Sequence, residues 1–261
     1  PLQRRASYGR LRRELGTVSV KRPFDFVIAL LGLIALSPLL LIVSILIWAQ
    51  DRRSPFYIAD RVGRSERPFR MVKFRSMVVN ADRSGVDSTS SDDVRITAIG
   101  RLIRRTKIDE LPQLWNVLRG DMSLVGPRPN VEREVRLYSP EEKRLLSIRP
   151  GITDLASIVF ADEGDILHGQ DDPDIAYNQL IRPGKNRLGL FYVENHTRAM
   201  DLQVVVLTVM NAISRRRALL GVAEAIERRG ADPALVVIAR REEPLQPTPP
   251  PGMDTIVTSR D

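Results

Sequence analysis

The hydrophobic positions fall into one unbroken apolar run followed by a long series of short periodic segments. From Phe26 to Ala49 the stretch "FVIALLGLIALSPLLLIVSILIWA" runs 24 residues without a charge, longer than the roughly 18 to 20 that mark a membrane segment. A cleaved signal peptide fits poorly, because its apolar region would cover about 7 to 15 residues and end at a small-residue cleavage site. The run is therefore read as a permanent membrane anchor.

Ser37 and Pro38 sit at its centre, where a proline removes one backbone hydrogen bond and a serine hydroxyl can satisfy a freed group. Each flanking arm, 26–36 and 39–49, would reach about 16 Å, half of a hydrocarbon core of ~30 Å. Two topologies fit that length: a re-entrant hairpin and a kinked single span. The flanks favour the hairpin, since Arg4, Arg5, Arg10, Arg12, Arg13, Lys21 and Arg22 before the run are answered by Arg52, Arg53, Arg61, Arg64, Arg67 and Arg70 after it. A simple span concentrates its cations on one side.

Beyond the anchor, Phe56 to Arg61 and Phe69 to Phe74 alternate around a Val62-Gly63-Arg64-Ser65 turn, which predicts a β-hairpin. Residues 81–93, "ADRSGVDSTSSDD", are polar and small and predict a loop. Ile99, Leu102, Ile103, Leu111, Leu114, Trp115 and Leu118 fall at helical spacings interrupted near Thr106 to Asp109, giving two helices with a break. "MSLVGPRP" reads as a short extended piece ending in a rigid turn, and "IRPGITD" as another Pro-Gly turn. Leu202, Val205, Val206, Val209, Met210 and Ile213, then Leu219, Leu220, Val222, Ala223 and Ile226, predict one or two amphipathic helices around the cluster Arg215, Arg216, Arg217. That cluster suits a membrane surface or a solvated helix face. The tail from Arg240, with "EEPLQPTPPPG", predicts an extended or disordered chain.

The domain plan is a basic arm over 1–22, a membrane helix hairpin over 23–50, a catalytic domain over 51–229 and a proline-rich, disordered tail over 230–261. The fold class is α+β, mainly helical: a re-entrant helix-break-helix, then a small domain with a short hairpin and interfacial amphipathic helices.

Charge and composition narrow the chemistry. The net charge is +8 over 261 residues, and the arm carries seven cations against Glu14 alone, which suits an anionic surface. With 5% aromatic residues, few platforms exist for stacking bases, and nucleic acid is disfavoured as a partner. The absence of cysteine excludes disulfides, thiolate metal sites and a thiol nucleophile. His168 and His196, both in polar settings, receive no catalytic role.

Asp109 and Glu110 stand together in "TKIDELPQLW". With a helix beginning at Glu110, Asp109 is its N-cap and Pro112 lies in the first turn. Acidic residues there commonly do no more than stabilise a helix. Here Arg101, Arg104, Arg105 and Lys107 precede the pair, Arg119 follows it, and Lys73 and Arg75 form a second basic group in "KFRSM". Cations of this kind hold phosphate oxygens. One carboxylate can then attack phosphorus while the other holds a hard divalent cation such as Mg²⁺, so the spacing suits phosphoryl transfer.

The motifs "KRPFD", Ser37-Pro38, "KFRSM", "IGRLIRRTKIDELPQLWNVLRGDMSLVGPRP", "RPGIT" and "YVENHTRAMDLQVVV" together resemble the bacterial sugar transferase family, the monotopic polyprenyl-phosphate phosphoglycosyl transferases, in consistent order over about residues 20–215. The resemblance implies a ping-pong reaction. Asp109 matches the nucleophile that attacks the β-phosphate of a nucleoside diphosphate sugar, expected to be a UDP-sugar, and polyprenyl phosphate then takes the phosphosugar. Glu110 matches the Mg²⁺-binding partner, with Mn²⁺ as the alternative ion and Asp109 as a further ligand. Ser37 and Pro38 match the break of the re-entrant helix. Lys73, Arg75, Arg105 and Arg128 fall in matching basic motifs and are expected to contact phosphate or nucleotide. The implied setting is the bacterial inner membrane, with the catalytic domain facing the cytosol and membrane lipids and a homo-oligomer as further partners.

One departure touches the substrate. Many members continue the Pro-Gly-Ile-Thr motif with Gly-Trp-Ala-Gln, whereas this chain reads Asp154-Leu155-Ala156-Ser157 and then "IVFADEGDIL", which leaves the sugar open. Asp162 and Glu163 are candidates for lining the sugar or nucleotide pocket, or else two acids of a surface loop. A membrane-tethered lipid-binding protein or scaffold without catalysis is the competing class.

Overall fold

The computed structural model describes residues 2–81, 89–90 and 92–259, with side chains from Lys21 onward. The side chains of Arg4, Arg5, Arg10, Arg12 and Arg13, and residues 82–88 and 91 of the expected polar loop, lie outside the described residues.

In chain order the helices and strands are α1 (Leu2–Asp51), β1 (Phe56–Val62), β2 (Pro68–Phe74), α2 (Ala98–Arg105), α3 (Leu114–Arg119), β3 (Ser123–Val125), α4 (Glu132–Arg136), β4 (Gly151–Thr153), α5 (Leu155–Val159), α6 (Glu163–Ile166), α7 (Pro173–Ala176), α8 (Arg182–Asn195), α9 (Arg198–Ile213), α10 (Arg215–Glu227) and α11 (Pro233–Arg240). A 3₁₀ turn, Ile108–Gln113, joins α2 to α3, and a π turn, Tyr177–Ile181, joins α7 to α8. The result is a mainly helical α+β chain with two small two-stranded sheets.

The anchor departs from the expected helix-break-helix, because α1 is one continuous helix through Pro38. Pro38 has no N–H to offer the carbonyl of Ile34 four residues back. The Ser37 hydroxyl donates to that same carbonyl at 2.8 Å, so the freed acceptor is satisfied within the helix. From Lys21 onward, α1 lies along the rest of the protein. Asp25, Ala29, Val43 and Ile47 are buried and Leu33, Leu36, Leu39 and Leu40 half-buried, a single stripe at helical spacing. The remaining face, including Leu31, Ile34, Leu41 and Ile42, is exposed.

Both ends of this segment are fastened. At one end Lys21 Nζ donates to Asp201 Oδ2 at 2.6 Å, to the Tyr192 hydroxyl at 2.9 Å and to the Val125 carbonyl at 3.0 Å. Arg22 holds the carbonyls of Val117 and Leu118 at the end of α3, and Asp25 accepts from the Ser123 hydroxyl at 2.7 Å. At the other end Arg75 donates from three nitrogens to Asp51 and to the Ser54 carbonyl, at 2.5 to 2.9 Å. The "KRPFD" and "YVENHTRAMD" motifs are thus two halves of one joint.

The predicted hairpin is present, β1 pairing antiparallel with β2 from Phe56↔Phe74 to Val62↔Pro68. "RPGIT", read as a turn, instead supplies β4, which runs parallel to β3. The reason is close backbone approach: a Cβ on Gly151 would lie 2.1 Å from the Gly126 nitrogen, and one on Gly126 would lie 2.4 Å from the Arg149 carbonyl oxygen. Only glycine fits there. The strands exchange Gly126 N–H to Thr153 at 3.1 Å and Gly151 N–H to the Pro127 carbonyl at 3.0 Å, which fixes the Pro127-Arg128-Pro129 turn.

The main core gathers α5, α8, α9, α10 and α11 around Leu155, Ile158, Val159, Leu188, Val204, Val222 and Ile226. The expected amphipathic helices are two, α9 and α10, with Leu202, Val206, Val209 and Ile213 exposed along one face of α9. Of the two states expected for the tail, extended or disordered, the structure shows the extended one. Residues 230–261 hold α11 and then a proline-rich segment that is extended but fastened: Gln179 accepts from Thr248 N–H at 3.2 Å and donates to the Val257 carbonyl at 2.7 Å. Arg187 and Ser139 donate to the carbonyls of Pro249 and Pro251. Side chains of the body satisfy backbone groups that a proline-rich segment cannot pair with itself.

Candidate active site

The 3₁₀ turn that carries the carboxylate pair starts from Lys107, which takes a left-handed conformation (φ 57°) between α2 and the turn. Asp109 is the second residue of that turn and caps no helix, so the expected N-cap role gives way. The reversal at Lys107 stops α2 and turns Asp109 inward. It is 6% exposed, and its Oδ1 is buried without a hydrogen-bond partner. Such an atom is costly unless it has work to do.

Glu110, beside it, is fully engaged. Arg128 donates to Glu110 through two nitrogens, one bond to Oε2 at 3.0 Å and the other to Oε1, and Lys73 Nζ lies 3.6 Å from Oε1. A forked pair of this kind is strong and geometrically specific. Lys73 comes from the end of β2, and Arg128 from the turn that the two glycines hold.

These contacts separate the two carboxylates. Burial raises the proton affinity of Asp109, and the neighbouring Glu110 charge raises it further, against the pull of Lys73, Arg104 and Lys107. Burial would also raise Glu110, but Arg128 and Lys73 outweigh it and hold this carboxyl well below the usual range. Burial pushes the Lys73 ammonium down to about 8 despite Glu110. Two adjacent acids with divergent affinities mark a chemical division of labour.

Of the expected phosphate contacts, Lys73 and Arg128 are brought to the dyad. Arg75 is engaged with Asp51 and fastens the anchor. Arg105 is exposed at the end of α2, and Arg104 and Lys107 supply the positive charge that Asp109 feels. Ser37 and Pro38 lie mid-anchor.

The structure adds residues that the sequence did not single out. Lys185, in the first turn of α8, pairs with Glu163 Oε2 at 2.8 Å and sits 5.1 Å from the centre of the Tyr177 ring. Glu163 and Arg128 each act on the other's charge. Asp154 caps α5 through Ser157, and burial raises its proton affinity. The pair "DE" at 162–163 therefore splits: Glu163 faces Lys185, while Asp162 meets Arg215 at 2.8 Å and Arg241 at 3.1 Å. No spacing rule signals Lys185, which arrives by the fold of α8. His168 is exposed near Asp92 at 3.7 Å, whereas His196 is half-buried, its Nδ1 3.0 Å from the Val193 carbonyl and its ring centre 5.7 Å from that of Tyr192.

Among the described residues no group of three or more acidic or histidine side chains could enclose a metal. Mg²⁺ is commonly held by one or two carboxylates together with substrate phosphates, and the dyad with its orphaned Asp109 Oδ1 fits that mode.

Comparison with known proteins gives the family. Residues 16–215 match the bacterial sugar transferase family. The chain is 37% identical over 212 residues to an exopolysaccharide production protein, ExoY, of Sinorhizobium fredii, covering 76% of this chain and 86% of that one. It is 33% identical over 202 residues to the UDP-N-acetylgalactosamine-undecaprenyl-phosphate N-acetylgalactosaminephosphotransferase of Aeromonas hydrophila, covering 75% of this chain and 44% of that one. It is 37% identical over 205 residues to the undecaprenyl-phosphate glucose phosphotransferase of Komagataeibacter xylinus, covering 76% of this chain and 36% of that one. With the family's residues running from the end of the basic arm through α9 and enclosing the dyad, the chain belongs to the bacterial sugar transferases.

Proposed function

We propose that this protein is a polyprenyl-phosphate phosphoglycosyl-1-phosphate transferase, moving a phosphosugar from a nucleoside diphosphate sugar to a polyprenyl phosphate in polysaccharide assembly. The observation that carries this reading is the buried, unpartnered Asp109 oxygen beside a Glu110 whose charge Arg128 and Lys73 already hold. The names of the relatives supply the substrate classes: a UDP-sugar donor in one and undecaprenyl phosphate as acceptor in two.

In the first half-reaction an Asp109 carboxylate oxygen attacks the β-phosphorus. An acyl phosphate bond forms, the bond from that phosphorus to the bridging oxygen breaks, and the electron pair leaves with the nucleoside monophosphate. In the second half an oxygen of polyprenyl phosphate attacks the same phosphorus and returns the carboxylate of Asp109. Lys73 and Arg128 present fixed positive charge to phosphate oxygens, and the Glu110 fork keeps Arg128 aimed. A Mg²⁺ ion held by Glu110 and Asp109 would supply further charge neutralisation on those oxygens.

The test is direct. Incubated with sugar nucleotide and Mg²⁺ but no acceptor, the protein is expected to release one equivalent of nucleoside monophosphate and to gain the mass of a sugar phosphate on the peptide containing Asp109. The mass on another residue, or on none, ends the aspartyl reading.

In this reading the anchor is one-sided, α1 running unbroken through Pro38 with both ends of the apolar segment on the cytosolic face of the inner membrane. What supports it is the fastening of Lys21 to Asp201 and of Asp51 to Arg75, which ties both ends of the apolar segment to the body of the same chain. The exposed faces of α1 and α9 supply apolar surface for lipid. Labels placed before Lys21 and after Arg53 are expected to react from the cytosolic side alone. Reaction of the first from the periplasm reverses the topology.

A further inference from the structure

The family match ends at residue 215, yet the chain continues through α10, α11 and an extended strap, and the strap is fastened beside the site. Gln179, within the π turn, takes two bonds from it, one to Thr248 and one to Val257. Arg187, two residues past Lys185, holds the Pro249 carbonyl at 2.9 Å. At the start of the strap Arg241 turns in a left-handed conformation (φ 52°), lays its guanidinium 5.3 Å from the Phe160 ring centre and bonds Asp162 at 3.1 Å. Asp162 immediately precedes Glu163.

Beside the Ser139 bond to Pro251, these strap contacts converge on one wall. Tyr177 stands on the π turn that Gln179 anchors, Lys185 stands on the helix that Arg187 anchors, and Glu163 follows the Asp162 that Arg241 anchors. Lys185 joins the other two, pairing with Glu163 at 2.8 Å and lying 5.1 Å from the Tyr177 ring centre, and Glu163 acts on the charge of Arg128. An aromatic face, a carboxylate acceptor and an ammonium donor are the groups that recognise a sugar's hydroxyls and apolar face. π turns frequently mark functional sites.

We propose that the C-terminal strap is a positioning element for donor recognition: Arg241 and the strap bonds to Gln179 hold the Glu163, Lys185 and Tyr177 wall in register with Arg128, and so set sugar-nucleotide affinity and sugar preference. The inference rests on the transferase reading above. Arg241 acts through Asp162 and Glu163 and does not itself touch substrate.

The test uses the full chain in membranes with a panel of UDP-N-acetylgalactosamine, UDP-galactose and UDP-glucose. Arg241→Ala is expected to raise the donor KM by about 5- to 10-fold with kcat within about twofold, the signature of lost uniform binding. It is also expected to change the preference between two of the sugars by about threefold or more. Arg241→Lys, which keeps the charge to Asp162, restores part of the KM, and the KM for polyprenyl phosphate stays put. Gln179→Ala, which removes the side-chain bond to the Val257 carbonyl and leaves the backbone bond from Thr248, provides a second variant should Arg241→Ala fail to fold. Donor KM and sugar preference unchanged in both variants overturn the inference.

Should the wild type transfer none of these sugars, the functional reading falls, and hydrogen exchange then judges the strap. Faster exchange of residues 177–187 in Arg241→Ala supports the positioning role, and equal exchange ends it.

Discussion

On the proposed mechanism, replacing Asp109 by Asn is expected to abolish sugar-phosphate transfer, by at least ~10³-fold, because an amide cannot form the acyl phosphate and the neighbouring Glu110 is held by Arg128 and Lys73. The fold survives the change. Asp109 has a raised proton affinity in the folded protein, so its linkage runs opposite to that of a salt-bridged carboxylate. The stability it lends is fully present below its unfolded pKa, near 3.8, and is lost as pH rises through the higher folded value. At neutral pH the wild type therefore carries the cost of an ionised buried carboxylate that Asn lacks. The expected Tm of Asp109→Asn is equal to or above that of wild type at pH 7, and the difference vanishes in acid. A variant that lost activity by unfolding would show a lower Tm instead.

The same shift predicts a pH limb for the chemistry. On the proposed mechanism only ionised Asp109 attacks phosphorus, so the rate of nucleoside monophosphate release in the first half-reaction is expected to fall as pH drops through a pKa raised above the ordinary value. Glu110 keeps its charge far below that limb. A limb at the ordinary carboxylate value would mean that burial does not tune the nucleophile.

Much of this was legible in the sequence for a physical reason: the pieces are local. A charge-free run needs no tertiary context to be recognised, the hairpin is set by alternation around one turn, and adjacent carboxylates remain adjacent in any fold. The continuity of α1 was hidden because a proline predicts a lost bond and not its replacement, and here Ser37 supplies that replacement. Arg75 and Arg105 stand in basic motifs as good as those of Lys73 and Arg128, and only the packing of Asp51 and the exposed end of α2 divide them. Lys185 and Tyr177 are brought to Glu163 through a π turn that no periodicity encodes. The strap's order is likewise tertiary, because its partners Ser139, Gln179 and Arg187 lie far back in the chain.

The largest expected loss of stability lies away from the dyad, at a charge pair that the sequence did not suggest. Arg182 and Glu142 are 2% and 0% exposed. Arg182 donates to both Glu142 oxygens at 3.0 and 2.7 Å, to Asn178 at 2.9 Å and to the Leu137 carbonyl at 2.8 Å. Glu142 also accepts from Asn186 at 2.6 Å and from the Ser139 backbone at 3.0 Å. Every strong bond of the guanidinium is made inside the protein. Glu142→Ala leaves that cation buried without its counter-charge, a loss of about 3 to 5 kcal/mol, which lowers Tm by on the order of 10 °C in a chain of this size. The double variant Glu142→Leu, Arg182→Met removes both charges and is expected to recover most of the loss, because the cost lies in the unpaired ion and not in the absence of the pair. Ser139 links the pair to the strap by donating its hydroxyl to Pro251 at 2.6 Å, and Asn178 links it to the π turn. Glu142→Ala is therefore expected to release the strap as well, seen as new proteolytic cleavage between residues 241 and 259 at temperatures where the wild type resists. Full stability and an uncut tail in Glu142→Ala would show that water reaches Arg182 and that the two halves of the domain do not depend on this contact.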